Sequence, residues 1–462
     1  AFLHLSVALQ GKDFLSEQAL WLDRIEIVVD GKNMTHFPAR NLIREPLKMK
    51  DITPLSFTDS MLYDRIPELK TKRIFALGET VHGSGSIFDV AFQIAKHQVE
   101  KNSCRLILLE LPIEDMLSVN RFIQGDASFE IDSLMFRYFN FAYYGTDLKK
   151  MFLWLKAYNK RNSEKVWIMG MDYEYRKEES IMSLYDYLYA INQSLQSPAI
   201  DSLCYHVLTA IGNSSKVEEF LQLAESLAKR KDIASLIGEK EFEIFRHVLT
   251  VSGKYGASTA KRLDSRDSVM YENTDFLLNF LCNKDEKAFV LAHFGHVNYK
   301  GLPVIPNRHH ISFGSLMKEN YGTDYFCTGV LVGTGDFATT GDSTITIRPL
   351  QSPPLGSLEY LFGQARNNYF YIPESAIPQP IACIRLIGNV DSEEAFKPWS
   401  VRSRMDAAIY IQNSKASAIP SEIQDNPDIL RGRNPSVMMS RLTKYFERDR
   451  ICNLKMQQRG IK

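Results

Sequence analysis

Lys72–Gly83 reads KRIFALGETVHG. Ile74–Leu77 is a short apolar run of the kind that forms a buried strand, Gly78 breaks it, and Glu79 and His82 follow directly. In open α/β sheets, ligands sit where the chain leaves the carboxyl ends of the strands, because the loops there converge on a crevice. A strand, a glycine and then Glu-x-x-His-Gly is the form such a site takes in sequence. The competing reading is a buried turn whose imidazole is satisfied by backbone.

The same form recurs downstream. RLILLELP (105–112) ends in Glu110, KVWIMGMDYEY (165–175) ends in Asp172 and Glu174, and KAFVLAHFGHVNYKG (287–301) carries His293 and His296. Further strands are expected in DYFCTGVLVGTGDF (324–337), IACIRLIG (381–388) and AAIYIQ (407–412). Apolar residues at helical spacing (Ile87, Val90, Ala91, Ile94, Val99) predict a helix over 86–102, with others at 114–125 and 147–161. A short helix is expected from Asp59, as its N-cap, to Ile66, where Pro67 stops it. Residues 177–281 hold amphipathic segments and no convincing strand. Strands alternating with helices imply an α/β fold: a mostly parallel central sheet flanked by helices, with a helical insertion. The expected boundaries are 36–176 and 263–415 for the two parts of the core, 177–262 for the insertion, and 416–462 for a C-terminal helical tail. Residues 1–35 read either as the tail of an upstream β-domain or as edge strands, since Trp21, Ile25, Ile27 and Val29 share a parity ahead of an Asp-Gly turn. With Ala1 in place of a methionine, they raise the expectation of an exported, multidomain parent, although the location is left open.

Composition narrows the ligand. Lys+Arg and Asp+Glu are equal at 55 each, so no basic excess points to nucleic acid or an anionic membrane, and a small molecule is the expected partner. No run approaches the roughly 18 to 20 apolar residues of a membrane span. Six cysteines without CxxC spacing indicate neither a zinc ribbon nor a redox pair. There is no Gly-x-Ser-x-Gly elbow and no P-loop, and Gly333-Thr334-Gly335 lacks the following helix that a dinucleotide fingerprint needs.

Strand ends bearing Glu79 with His82, Glu110, Asp172, and His293 with His296 are equipped for proton transfer. An imidazole near neutral pKa takes a proton from water when a carboxylate fixes its tautomer and stabilises the imidazolium. Taken alone, Asp172 reads as structural, for instance a helix cap. The same histidines and acids offer enough N and O donors for zinc, but their spacing matches no recognised metal motif, so no cofactor is expected and metal ranks second.

GETVHG, the acid in LLELP, GMDYEY, SRDSVMYEN, AHFGHV, SFGSLMKENYGTDYF and the closing MDAAIYIQ, in that order over about 65–415, resemble the erythromycin esterase family. The resemblance implies an α/β body with a helical insertion and hydrolysis of an ester, in type members a macrolactone, by activated water without a serine nucleophile. It makes His82 the general base, Glu79 and Glu110 the acids that orient and balance the site, and His293 and His296 the groups that polarise the carbonyl or protonate the leaving alcohol. Arg266 becomes a candidate for oxyanion or substrate contact, with Asp172 grouped beside it. Three positions depart from the family pattern: Phe294 stands where an Asn is usual, Ser86 where a glutamate is, and Ala91 where a basic residue is, with Lys96 a turn further on. These alter the lining of the pocket and leave the acid and imidazole groups in place. Three functions are therefore carried forward: a water-activating ester hydrolase, a metal-dependent hydrolase using the same residues, and a non-catalytic protein binding a small molecule or haem.

Overall fold

Among the described residues, nine strands form one sheet: β1 (Thr53–Pro54), β2 (Ile74–Glu79), β3 (Cys104–Pro112), β4 (Trp167–Asp172), β5 (Lys287–His293), β6 (Tyr325–Thr340), β7 (Ile345–Pro349), β8 (Tyr369–Pro373) and β9 (Ala407–Ser414). Their order is β1-β8-β9-β6-β2-β5-β3-β4, with β7 paired to β6. The computed structural model describes residues 28–29, 32–33, 47–139, 142–173, 177–212, 218–255, 262–301, 311–340, 345–378, 383–388, 395–398, 403–419 and 447. From β9 through β4 in this order, neighbouring strands run parallel. At the other edge β8 is antiparallel to both β9 and β1. Every residue of β2 is buried, which requires cover on both faces and explains why its sequence is a continuous apolar run rather than an alternating one.

The mostly parallel α/β sheet is as expected, and the helices follow closely. Helix α1 (Gly85–Lys101) buries Ile87, Val90, Ala91, Ile94 and Val99, the positions its spacing singled out. Ser84 caps it, accepting the Ile87 N–H at 3.3 Å. Helices α2 (Ile113–Gln124), α3 (Ile131–Tyr138) and α4 (Thr146–Arg161) lie between β3 and β4. Among the described residues, five helices then follow over Lys177–Tyr255 before α5 (Arg262–Leu281) returns to the sheet. The helix expected from Asp59 is a 3₁₀ turn, Ser60–Arg65, with Asp59 capping it.

Three expectations are corrected. IACIRLIG does not add a strand to the main sheet: Cys383–Arg385 pairs antiparallel with Phe396–Pro398. Its Arg385 is fully buried, donating to the carbonyls of Val332 and Gly333, and a buried cation of that kind needs backbone acceptors rather than a sheet ladder. The strand expected over 324–337 runs on to Thr340, and its end is one arm of an antiparallel hairpin with β7. His296 lies beyond β5, on the helical turn Phe294–Val297. Of residues 1–35, the described Val28–Val29 and Lys32–Asn33 pair antiparallel, and the rest lies outside the described residues. Of the tail beyond 415, residues 416–419 run without helix along the α1 entry loop, and almost all that follows lies outside the described residues.

One irregularity in the sheet matters for the site. Leu109 is opposite Gly170 but Pro112 is opposite Asp172, so β3 spends one residue more than β4 over this span. Such bulges redirect side chains, and this one falls at Glu110. Gly170 makes room for it, since a Cβ there would lie 2.3 Å from the Leu111 carbonyl oxygen.

Candidate active site

The carboxyl ends of β2, β5, β3 and β4 are consecutive in the sheet, and they bring Glu79, His293, Glu110 and Asp172 into one crevice. Glu79 sits in register with His293. Past β2 the chain turns so that His82 Nδ1 meets Glu79 Oε1 at 2.9 Å. The turn is held by backbone from distant segments. Ile387 N–H donates to the Thr80 carbonyl at 2.8 Å and its own carbonyl accepts the His82 N–H at 3.0 Å. The Gly83 carbonyl accepts N–H groups from Ala338 at 3.0 Å and Ser417 at 2.8 Å.

Gly83 has a φ of +76°, and a Cβ there would lie 1.9 Å from the Ala338 carbonyl oxygen. Left-handed backbone alone costs a non-glycine residue about 1–2 kcal/mol, and the clash adds to it. Gly83→Ala is therefore expected to lower the urea-unfolding free energy by at least about 2 kcal/mol and to disturb the adjacent His82 turn. A melting curve superimposable on that of the parent would refute this.

Glu110, turned by the bulge, accepts the His293 backbone N–H on Oε2 at 2.7 Å and Arg266 Nη2–H on Oε1 at 2.9 Å. Arg266, on α5, also donates through Nε and Nη2 to Asp172 Oδ2 at 2.9 and 2.6 Å, and through Nη1 to His296 Nε2 at 3.1 Å. His296 Nδ1 meets Asp267 Oδ1 at 2.8 Å. Asp267, wholly buried, takes the Phe313 N–H on its other oxygen at 2.8 Å, tying α5 to the helix that begins there. Arg266 keeps an exposed face, its side chain being 28% accessible.

These contacts assign tautomers. An ionised carboxylate only accepts, so Glu79 places the His82 proton on Nδ1 and the lone pair on Nε2. Asp267 does the same for His296. His293 is the reverse: its Nδ1 accepts the Gly295 N–H at 3.2 Å, which leaves the proton on Nε2. That Nε2 is buried and makes no well-aligned hydrogen bond among the described residues, although the Ile387 backbone acts on the ring. The rings of His82 and His293 lie 4.7 Å apart.

The electrostatics divide the three histidines. Burial disfavours charge on His82, but Glu79 and Glu110 outweigh it and hold the imidazole above its ordinary 6.5. For His296 burial is likewise outweighed, by Asp267 and Glu110, and its pKa is raised. Burial and the neighbouring His82 charge push His293 well below its ordinary value, so it stays neutral. Burial would raise Glu110, yet His296, Arg266, His82 and His293 together hold it well below the usual carboxylate range. Asp172 is raised by burial, which Arg266 only partly offsets.

All seven residues singled out in the sequence thus lie in one cluster. Two others were missed. Asp267 follows Arg266 directly, but an acid beside an arginine on a helix carries no mark of its partner His296. Tyr143, whose hydroxyl donates to Glu79 Oε1 at 3.0 Å, comes from a loop with no local signal at all. Ser84 and Ser86 have structural work: Ser84 caps α1 and Ser86 accepts the Lys415 N–H at 2.9 Å. Ligand atoms of Glu79, His82 and Glu110 lie within 4.8 Å of one another, close enough to share a cation. No helix of the described residues is long and apolar enough to cross a membrane.

Comparison with known proteins agrees with the fold. A curated relative, erythromycin esterase type II of Escherichia coli, is 24% identical over 407 residues, covering 76% of this chain and 91% of that protein. Among solved structures, a Bacillus cereus protein superposes with a TM-score of 0.63 at 18% identity, covering 80% of this chain and 97% of that one. A succinoglycan biosynthesis protein gives 0.62 at 17% identity, covering 80% and 96%. A variant of the erythromycin esterase EreC in its open conformation gives 0.56 at 15% identity, covering 79% and 98%. Residues 99–414 match the family described as erythromycin esterase, a span that holds Glu110, Asp172, Arg266, His293 and His296 and begins just after the Glu79–His82 turn. On that match over most of its length, the chain belongs to the erythromycin esterase family.

Proposed function

We propose that this protein hydrolyses a carboxylic ester with water activated by His82. The observation that carries the reading is the buried Glu79–His82 pair beside a neutral His293 whose Nε2–H makes no well-aligned hydrogen bond among the described residues. His82 Nε2 takes a proton from water as the oxygen attacks the ester carbonyl carbon, and Glu79 stabilises the imidazolium that forms. His293 Nε2–H donates to the oxyanion, a role suited to a donor fixed before the charge develops. The bond to the leaving alkoxide then breaks, and the alkoxide takes the proton from the His82 imidazolium. Arg266, with Asp172 and Glu110, orients these groups and offers its exposed face to the substrate. No acyl-enzyme is required.

The relatives' names supply the macrolactone as one candidate ester. Ser86, Phe294 and Ala91 depart from the family pattern, so erythromycin itself is not assigned. A second reading rests on the approach of Glu79, His82 and Glu110, which would make them ligands of a cation that activates the water instead.

A panel of aryl esters and macrolides, assayed with and without chelator, tests both readings. The expected result is hydrolysis at equal rates in the two conditions. Loss on chelation, restored by zinc, would replace the metal-free reading with the second. Silence across the panel, in protein shown to be folded, would count against ester hydrolysis altogether.

A further inference from the structure

The chain leaving β9 runs on as Lys415–Ala418, reading KASA, across the entry to α1, and it is tied to two loops at once. On one side the Ser417 N–H donates to the Gly83 carbonyl at 2.8 Å, and the Gly85 N–H to the Lys415 carbonyl at 2.9 Å. The Lys415 N–H returns to Ser86 Oγ at 2.9 Å, and Ser84 pairs with Ala416 in an isolated antiparallel bridge. On the other side the Ala418 N–H donates to Asp147 Oδ2 at 3.0 Å, and the Ala418 carbonyl accepts the Thr146 N–H at 3.0 Å. The first loop carries His82. The second carries Tyr143, whose hydroxyl donates to the Glu79 carboxylate that holds His82. Two glycines admit the strap this closely. A Cβ on Gly145 would lie 2.2 Å from Ser417 Oγ, and one on Gly85 would lie 2.9 Å from the Ala416 carbonyl oxygen. Gly145 has an extended φ of −169° and Gly85 opens a helix, so what each glycine supplies is the missing side chain. Ser417 is buried, and its Oγ makes no hydrogen bond among the described residues.

We propose that Lys415–Ala418 is a positioning strap for His82, holding the turn that bears it and the Tyr143 loop at a fixed separation, an inference that rests on the reading of His82 as the base. The Gly83 carbonyl belongs to the residue next to His82. With Ser417 displaced, Ala338 is left as the one backbone donor on that carbonyl among the described residues, while Ile387 still holds the other side of the turn. The imidazole then keeps its chemistry and loses its aim. A misplacement of about 1 Å in a reacting group costs up to about 10²-fold in rate. The strap holds His82 from behind through backbone amides and carbonyls, so it acts on kcat rather than on substrate affinity. Small side chains in KASA are what this close backbone contact requires.

Gly145→Ala tests this, because alanine adopts the backbone there and the nearest atom its Cβ meets is Ser417 Oγ, the next lying at 3.5 Å. Ser417→Ala removes that oxygen and keeps the N–H on Gly83. Gly145→Ala is expected to lower kcat by about 10-fold to 10²-fold with KM little changed. It should also move the His82 backbone-amide and ring signals in protein labelled with ¹⁵N-histidine, assigned by their disappearance in His82→Asn. Gly145→Ala/Ser417→Ala should return both readouts toward the parent, and Ser417→Ala alone should match it. A double variant as impaired as Gly145→Ala would overturn the proposal. So would a Gly145→Ala protein that is less stable but retains the parent's kcat and His82 signals, the result of a merely structural role. Should Gly145→Ala fail to fold, Asp147→Ala frees the Ala418 N–H without a clash. It is expected to lower kcat several-fold and shift the same signals, with Asp147→Asn, which keeps an acceptor oxygen, close to the parent; unmoved signals in Asp147→Ala would refute the strap. The NMR arm needs no substrate, so absence of ester hydrolysis would sink the hydrolase reading while the His82 signals still decided the role of the strap.

Discussion

His82→Asn is expected to lower kcat/KM for ester hydrolysis by about 10²–10⁴-fold, the range that positioned acid–base groups contribute. Asparagine places an amide N–H close to where Nδ1–H stood, so Glu79 keeps a donor and the turn keeps its backbone contacts to Ile387. What is lost is the Nε2 lone pair. Stability should change little by comparison, and equal urea midpoints would separate a chemical from a folding effect. The parent enzyme's pH profile carries the same signature. His82 is held above 6.5, so the acid limb of kcat/KM should fall above that pH, and it should vanish from any residual activity of the variant. The stability linkage runs the opposite way. A histidine whose folded pKa is raised contributes stability that is present below the unfolded value and lost as pH rises through the folded one. His82 thus becomes active over the same window in which its contribution to stability fades. Activity within tenfold of the parent in His82→Asn would remove this residue from the mechanism.

Glu110→Gln should be costly in both activity and stability, although it is nearly isosteric. Both carboxylate oxygens accept: Oε2 from the His293 N–H and Oε1 from Arg266. A glutamine has one acceptor oxygen and one NH₂, so either orientation sets a donor against a donor. Removing the negative charge also leaves Asp172 as the one carboxylate hydrogen-bonded to Arg266 among the described residues and deprives the raised His296 of one of its two acids. Breaking one partner out of a buried charge network costs about 3–5 kcal/mol. The activity loss should reach at least about 10²-fold, because His293, His296 and Arg266 all lose their alignment. The parent's acid stability follows from the same group. Glu110 is depressed when folded, so its contribution is complete above the ordinary glutamate range and declines as pH falls below it. A Glu110→Gln protein that melted like the parent would show that the network is not a structural necessity.

Much of this was legible without coordinates, for a definite reason. Strands of a parallel sheet are buried on both faces, so β2, β3, β4 and β5 are unbroken apolar runs, and a charged residue at the end of one stands out. Glu79, Glu110, Asp172 and His293 were found in that way. β8 escaped notice because YFYIP is short, bounded by Asn368 and closed by Pro373, and its place is at the antiparallel edge where patterning is weak. IACIRLIG looked like a central strand because Arg385 is one polar residue in an apolar run; nothing local reveals that its guanidinium is buried among carbonyls. Asp267 and Tyr143 were missed because hydrogen bonding across a fold leaves no period in the chain.

The sequence by itself determined that this is an α/β protein with ionisable groups at its strand ends, since burial and local periodicity act on neighbours along the chain. Only the tertiary structure decided what those groups are. The order β2-β5-β3-β4 places strands from distant parts of the chain side by side, and the bulge at Glu110 turns its carboxylate toward His293 and Arg266. Which imidazole is a base and which a donor then follows from single contacts, Glu79 on one Nδ1 and the Gly295 N–H on another. A histidine's chemistry is set by the partner of its second nitrogen, and folding alone supplies that partner.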